Sequence, residues 1–234
     1  MTAVEERLRQ LASQYQLAEA VVGTLGAILD FQASDGHAST TVRSPTAAVD
    51  RHVADSLVAL GLPEVRSARR VADIGAGAGW PGLALAVALP GARVSLVESA
   101  SRRCRYLERV IEAVGLGNVD VVHARAEEWY GGFGAHDVVT ARALAALPVI
   151  AEYAAPLLVA GGTLVAWKGR VEADEIKAAA AAAGELGLDA LEIADVHPYP
   201  GAGPATLHRF RKAAPTPSRF PRRSGMALKR PLGG

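Results

Sequence analysis

The sequence predicts an α/β fold, a doubly wound and mostly parallel sheet of seven strands with an N-terminal helical cap. Three observations predict it. From Arg70 onward, short β-like runs alternate with segments of helical period. The first of these runs, Val71-Ala72-Asp73-Ile74, passes into Gly75-Ala76-Gly77-Ala78-Gly79-Trp80-Pro81-Gly82 and then an apolar segment, the pattern of a buried strand, a tight turn and a helix. The chain has 234 residues, half of them hydrophobic, which suits one such domain with appendages.

Residues 1–69 read as the cap. Leu8, Leu11, Tyr15, Val22, Leu25, Ile28, Leu29 and Phe31 form an apolar stripe near a 3.6-residue period, on one or two helices. Asp35-Gly36-His37 breaks that pattern, and Ser44-Pro45 starts another helix running through Leu57. On it, Arg51 and Asp55 stand at i and i+4 and are expected to pair. The sharper alternative is contact of His52 or Asp55 with a ligand pocket. Residues 70–214 carry the sheet, with strands expected at 71–74, 93–97, 119–122, 137–140, 163–167, 190–196 and 206–211. Helices are expected between them at 83–89, 101–114, 147–158 and 174–186. Residues 215–234 are too rich in proline for regular structure and are expected to wrap the domain or to order on binding. Their modest apolar content predicts that the chain truncated after Ala214 still folds.

The single Cys104 rules out an internal disulfide, no Cys/His cluster suggests a metal, and neither a signal peptide nor a run of eighteen apolar residues is present. A cytoplasmic, monomeric protein with no membrane partner is expected. The net charge of +1 hides an asymmetry: eight basic and no acidic residues follow Asp195, leaving 17 basic against 24 acidic residues in the first 195. A basic terminus on an acidic body points to a polyanion, above all nucleic acid. The candidate contacts in the tail are Arg219, Arg222, Arg223, Lys229 and Arg230.

The glycine-rich turn is a nucleotide cradle. Gly77-Ala78-Gly79-Trp80-Pro81-Gly82 matches the dinucleotide pattern G-x-G-x-x-G, which keeps NAD-dependent oxidoreduction open. The strand, however, ends in Asp73 with Gly75 ahead of that match. A carboxylate there would repel a pyrophosphate and favour an ammonium group, so S-adenosylmethionine is the expected ligand. Glu98, at the end of the second strand, suits the hydroxyls of a ribose. Arg125-Ala126-Glu127-Glu128 follows the third strand, Thr140-Ala141-Arg142-Ala143 ends the fourth, and Lys168-Gly169 ends the fifth. The Asn/Asp/Ser-Pro-Pro-aromatic loop common in enzymes that methylate exocyclic amines is absent. What remains is a nucleophile with no proton to lose, such as guanine N7, with Arg142 and Lys168 supplying orientation and charge and no general base.

Together, Arg51-His52-x-x-Asp55-Ser56-Leu57, Asp73-Ile74-Gly75-x-Gly77-x-Gly79-x-Pro81-Gly82, Glu98-Ser99, Arg125-Ala126-Glu127, Ala141-Arg142-Ala143 and Lys168-Gly169 resemble the RsmG family, also called glucose-inhibited division protein B. The likeness runs from about Ser44 to the C-terminus, where Pro221-Arg222-Arg223-x-Gly225 and Lys229-x-Pro231-Leu232 look like the family's closing signature. It implies a class I, Rossmann-like methyltransferase that uses S-adenosylmethionine to methylate N7 of guanine 527 in the 530 loop of 16S ribosomal RNA, in the small ribosomal subunit or an assembly intermediate. It also implies donor binding by Gly75, Trp80, Ala126, Glu127 and Arg142, with Glu98 on the ribose; Asp73, Gly77 and Gly79 complete the expected donor cradle. Methylation of a small molecule or protein is the alternative. Ala38-Ser39-Thr40 departs from the family's usual Asn-Leu-Thr, and Trp80 stands where Phe or Leu is common, a larger wall that is still expected to pack against the donor.

Overall fold

A computed structural model describes residues 2–42 and 44–234. Two cap helices open the chain, α1 (Ala3–Gln14) and α2 (Ala20–Ser34), and the Thr2 hydroxyl accepts the Glu5 amide at the start of α1. The next helical stretch is irregular. It begins as α3 (Pro45–Ala48), widens into a π turn (Val49–Ala54), continues as α4 (Asp55–Leu57) and tightens into a 3-10 turn (Val58–Gly61). A short α5 (Pro63–Arg66) leads into β1 (Arg70–Ile74). Then come α6 (Gly82–Ala88), β2 (Arg93–Glu98), α7 (Ser101–Val114), β3 (Val119–His123), β4 (His136–Arg142), α8 (Leu147–Ala154), β5 (Leu158–Lys168) and α9 (Ala173–Leu186). The short strands β6 (Leu188–Ala190) and β7 (Ala194–Val196), the long β8 (Ala205–Lys212) and α10 (Met226–Lys229) complete the chain.

The sheet order is β3-β2-β1-β4-β5-β8-β6, with β7 also on β8; β1 to β5 are parallel, and β8 runs antiparallel. Strand order reverses between β1 and β4, which opens a crevice at their carboxyl ends, where open α/β sheets bind ligands. The expected strand at 190–196 divides in two. Ala190 pairs with Phe210 but Ala194 with Leu207, so one extra residue interrupts the ladder as a bulge and the sheet has eight strands rather than seven. The helix expected at 147–158 stops at Ala154, just before Pro156, which has no N–H to continue it.

Two cores flank the sheet. Leu8, Leu11, Leu25, Ile28 and Leu29 of the cap pack into one hydrophobic cluster with Leu83, Leu96 and Leu107, so the cap shares the interior of the sheet domain. On the other face Ile150, Leu157, Leu164 and Leu186 cluster with Phe220 and Ala227 of the tail. The proline-rich tail therefore wraps the domain, and its apolar residues are part of the core.

Candidate functional site

The cradle sits at the carboxyl end of β1. The Gly75 and Ala76 amides both donate to Val97 O, and the Gly77 amide donates to Glu98 Oε2 at 3.0 Å. Gly79 has φ +97°, and a Cβ there would lie 2.3 Å from Leu83 Cδ1, so this tight turn onto α6 requires glycine. Beside the loop lies a cavity of about 230 Å³ lined by Thr40, His52, Gly75, Gly77, Trp80 and Arg142, among others.

Asp73 does not do what its position suggested. It is 1% exposed, its Oδ1 accepts the Thr140 hydroxyl at 2.9 Å, and its Oδ2 accepts the Gly82 amide at 3.0 Å. Both oxygens thus tie β1 to β4 and to the first turn of α6, and Asp73 does not line the cavity. Burial pushes its carboxyl up to about 6, against the opposing hydrogen bonds from Thr140 and Gly82. Asp73 is therefore not placed to meet an ammonium group, contrary to the expectation from sequence: the charged groups lining the cavity are the guanidiniums of Arg103 and Arg142. Glu98 is also buried. Its Oε1 accepts the Ala100 amide at 2.8 Å and its Oε2 the Gly77 amide, with Arg103 Nη1 3.5 Å away, so it sets the shape of the cradle.

Trp80 is wedged between the cap and the π turn. Its ring stacks on His52, with centroids 5.5 Å apart and planes at 12°, and its Nε1 donates to Gln32 Oε1 at 2.9 Å. His52 Nδ1 lies 3.2 Å from Arg51 O and Nε2 lies 3.0 Å from Thr40 Oγ1. A carbonyl can only accept, so Nδ1 carries the proton and Nε2 accepts from the Thr40 hydroxyl. Burial, with Arg142 nearby, pushes the imidazole down to about 4, so His52 is neutral near pH 7. Thr40, in the segment that departs from the usual pattern, thereby fixes a wall of the cavity.

The expected Arg51–Asp55 pair does not form. Asp55 Oδ2 instead accepts Arg142 Nη1 at 2.6 Å, and Arg142 Nη1 also reaches Arg51 O at 3.4 Å. The π turn replaces regular α geometry in the Val49–Ala54 stretch just before Asp55, so the spacing of a regular α-helix does not carry through. Arg142 lines a second cavity too, of about 460 Å³, with Asp55, Trp167, Lys168, Arg170 and Tyr199. Trp167 Nε1 donates to Asp55 O at 2.8 Å, while Lys168 Nζ binds Glu175 Oε1 at 2.8 Å and Ala145 O at 3.3 Å. Arg142 and Ala143 are common to the two cavities. Trp167, Tyr199 and Arg103 escaped the sequence reading; only the position of Trp167 next to Lys168 at a strand end could have signalled it.

Ala126 and Glu127 form a 3-10 turn after β3, outside the smaller cavity's lining. Glu127 Oε1 accepts the Gly225 amide at 3.2 Å and the Ser224 hydroxyl at 3.3 Å, so the tail closes over this turn. Arg222 embraces Glu152, with Nε 2.9 Å from Oε1 and Nη2 2.5 Å from Oε2, while its own amide reaches Oε1 at 3.0 Å. The Glu152 side chain is 1% exposed. Arg222 is therefore a structural anchor and not a free RNA-binding cation. Arg219 lies 4.8 Å over the Phe220 ring and 3.6 Å from Glu185, whereas Arg223, Lys229 and Arg230 are exposed and form no side-chain ion pair among the described residues.

Comparison with known folds and families agrees with this architecture. A SAM-dependent methyltransferase from Aquifex aeolicus superposes with a TM-score of 0.56, at 12% identity over 71% of this chain and 93% of its own. A 16S rRNA (adenine(1408)-N(1))-methyltransferase from Catenulisporales acidiphilia, solved with its cosubstrate SAM, gives 0.54 at 17% identity, covering 65% and 89%. At these identities the likeness shows the fold alone. Closer in sequence are proteins named ribosomal RNA small subunit methyltransferase G. The one from Rubrobacter xylanophilus is 42% identical over 199 residues, covering 82% of this chain and 76% of that one. The one from Chloroflexus aggregans is 43% identical over 196 residues, covering 82% of each. The family model for rRNA small subunit methyltransferase G matches residues 33–198, from the end of α2 past β7, and the chain belongs to that family.

Proposed function

We propose that this protein transfers a methyl group from S-adenosylmethionine to N7 of a guanine in 16S ribosomal RNA, position 527 of the 530 loop, within the small ribosomal subunit or an assembly intermediate. One observation carries the reading: Arg142 stands in the wall common to a small cavity at the glycine cradle and a larger one open to solvent. A donor in the first and an acceptor in the second would meet at that side chain. The cradle fits a donor without phosphates. Its glycines leave main chain facing the cavity, and the guanidiniums of Arg103 and Arg142 suit the carboxylate of an amino-acid moiety. Gly75, Gly77 and Trp80 would hold the donor, with Gly79 shaping the turn and Glu98 and the Ala126-Glu127 turn toward the donor's adenosine.

S-adenosylmethionine, when bound, supplies an electrophilic methyl on a sulfonium and departs as a neutral thioether. The residues of this chain then have to align the acceptor and exclude water. Guanine N7 attacks through an in-plane lone pair and loses no proton, which agrees with a site whose one imidazole is neutral and engaged at both nitrogens. Arg223, Lys229 and Arg230 remain as the tail's RNA contacts. To test the reading, small subunits from cells lacking the family's methylation are incubated with methyl-labelled donor and this protein. Label at guanine 527, abolished when 7-deazaguanine replaces that base, is the expected result. Label on another atom, or on a small molecule or protein instead of RNA, would sink it.

A further inference from the structure

We infer that Asp55 reads the Watson–Crick edge of the target guanine, with Arg142 on its O6, so that this carboxylate specifies guanine. The inference rests on the proposed reaction and follows from the order of groups around the site. Going round a guanine from N7, the polar groups are the N7 lone pair, the O6 acceptor, the N1–H donor and the N2 amine donor. Going outward from the cradle, the protein presents the donor cavity, the Arg142 guanidinium that lines both cavities, and then Asp55, which lines only the outer one. A base placed with N7 at the donor cavity therefore meets donors opposite O6 and a carboxylate opposite N1–H and N2–H. Every pairing is complementary. Adenine in the same pose would set its N1 lone pair against the carboxylate.

The outer cavity has the other parts that enzymes acting on an extruded base use, namely aromatic surface and a polar group for the Watson–Crick edge. Trp167 is held in place by its 2.8 Å bond to Asp55 O, and Tyr199 lines the same cavity. Asp55 is already oriented: Arg142 binds one oxygen at 2.6 Å, and a carboxylate has about four acceptor sites, leaving capacity for two more N–H donors. About 460 Å³ lies within the range of roughly 300–1,000 Å³ typical of small-ligand pockets. Arg170 also lines it and adds positive charge for the flanking phosphates, next to Lys168, which is paired with Glu175.

The test compares small subunits reconstituted with guanine or inosine at the target position, inosine lacking only the N2 amine. Single-turnover methyl transfer is measured, together with subunit affinity in the presence of S-adenosylhomocysteine. Wild-type protein should prefer guanine by roughly 10- to 100-fold in both, the range for losing one hydrogen bond to a charged group. Asp55→Asn should transfer more slowly to guanine and bring the guanine-to-inosine ratio near one, because its amide opposes one of the two donors. Asp55→Ser serves if the asparagine variant does not fold. A structural role of the Arg142–Asp55 pair alone would lower both rates and leave the ratio unchanged, and that result overturns the inference. Equal use of guanine and inosine by wild type overturns it as well. No transfer by wild type to guanine subunits would overturn the underlying reaction instead.

Discussion

Two arginine–carboxylate pairs in this molecule look alike in sequence and differ in what surrounds them. Arg222–Glu152 joins the tail to α8 through a side-chain fork and a backbone amide, around a carboxylate whose side chain is 1% exposed. Arg142–Asp55 joins the end of β4 to α4 through one 2.6 Å bond, with side chains 18% and 22% exposed and two cavities alongside. The first pair is closed on itself and has little capacity for a ligand. The second is held by few contacts and faces space, so its remaining donors and acceptors are available. Burial and the number of bonds, rather than residue type, separate the structural pair from the functional one.

The largest effect of a single substitution should come from breaking the closed pair. Arg222→Ala leaves Glu152 charged and buried without its partner, which costs about 3–5 kcal/mol. A loss of that size lowers Tm by about 10 °C in a chain of this length. Thermal unfolding checks it, and an unchanged Tm would break the distinction between the closed pair and the open one. Truncation after Ala214 should destabilise further, because it also removes Phe220 and Ala227 from the second core. The expectation that the truncated chain still folds rested on a tail with little apolar surface in the core, and the burial of Phe220 and Ala227 corrects that premise. Arg142→Ala should have the opposite profile. The stability loss is about 1 kcal/mol or less for a partly exposed single bridge. Methyl transfer should fall by roughly 100-fold through misplaced reactants. A variant that unfolds, or one that keeps full activity, would refute the assignment.

The tail's remaining cations give a smaller effect, visible in salt. Replacing Arg223, Lys229 and Arg230 together by Ala should leave Tm nearly unchanged and flatten log K against log salt for subunit binding by about 2 units, at about 0.7 per phosphate contact on a single strand. Arg222→Lys should not flatten it, since that residue is spent on Glu152. Equal slopes for the triple variant and wild type would remove the tail from RNA recognition.

What the sequence made legible was local. The alternation of strands and helices, the cradle after β1 and the positions of Arg142 and Lys168 at strand ends are set by periodicity and turn chemistry within a few residues. What it concealed was partnership across the chain. Asp73 spends an oxygen on Thr140, Asp55 meets Arg142 in place of its own helix neighbour Arg51, and Glu152 and Glu127 wait for the tail. No periodicity encodes which of two nearby arginines a carboxylate takes. The π turn before Asp55 and the bulge between β6 and β7 break the spacing rules where local inference relies on them.

The smallest expected effect separates the two arginines by pH. His52 is held neutral chiefly by burial, and next by the positive charge of Arg142; Arg222 has no part in it. Its pKa in the folded protein, about 4, lies below the ordinary imidazole value of 6.5. The unfolded chain therefore takes up a proton that the native state refuses, and stability contributed by the neutral ring is lost as pH falls from about 6.5 through about 4. Arg142→Ala should move the imidazole upward and so reduce that loss. The same change should push Asp73 higher still, because Arg142 is among the groups that hold its carboxyl down. With a folded pKa above its unfolded one, Asp73 gains native stability as pH falls through about 6, so both shifts favour the variant in acid. Relative to wild type, Arg142→Ala should thus become less destabilised between pH 7 and pH 5 in urea unfolding, and the His52 ring resonances should titrate at higher pH. Arg222→Ala should leave the His52 titration where it is. A His52 pKa unmoved by Arg142→Ala would mean that the guanidinium is screened from the ring, and with it from the cavity wall they are both taken to form.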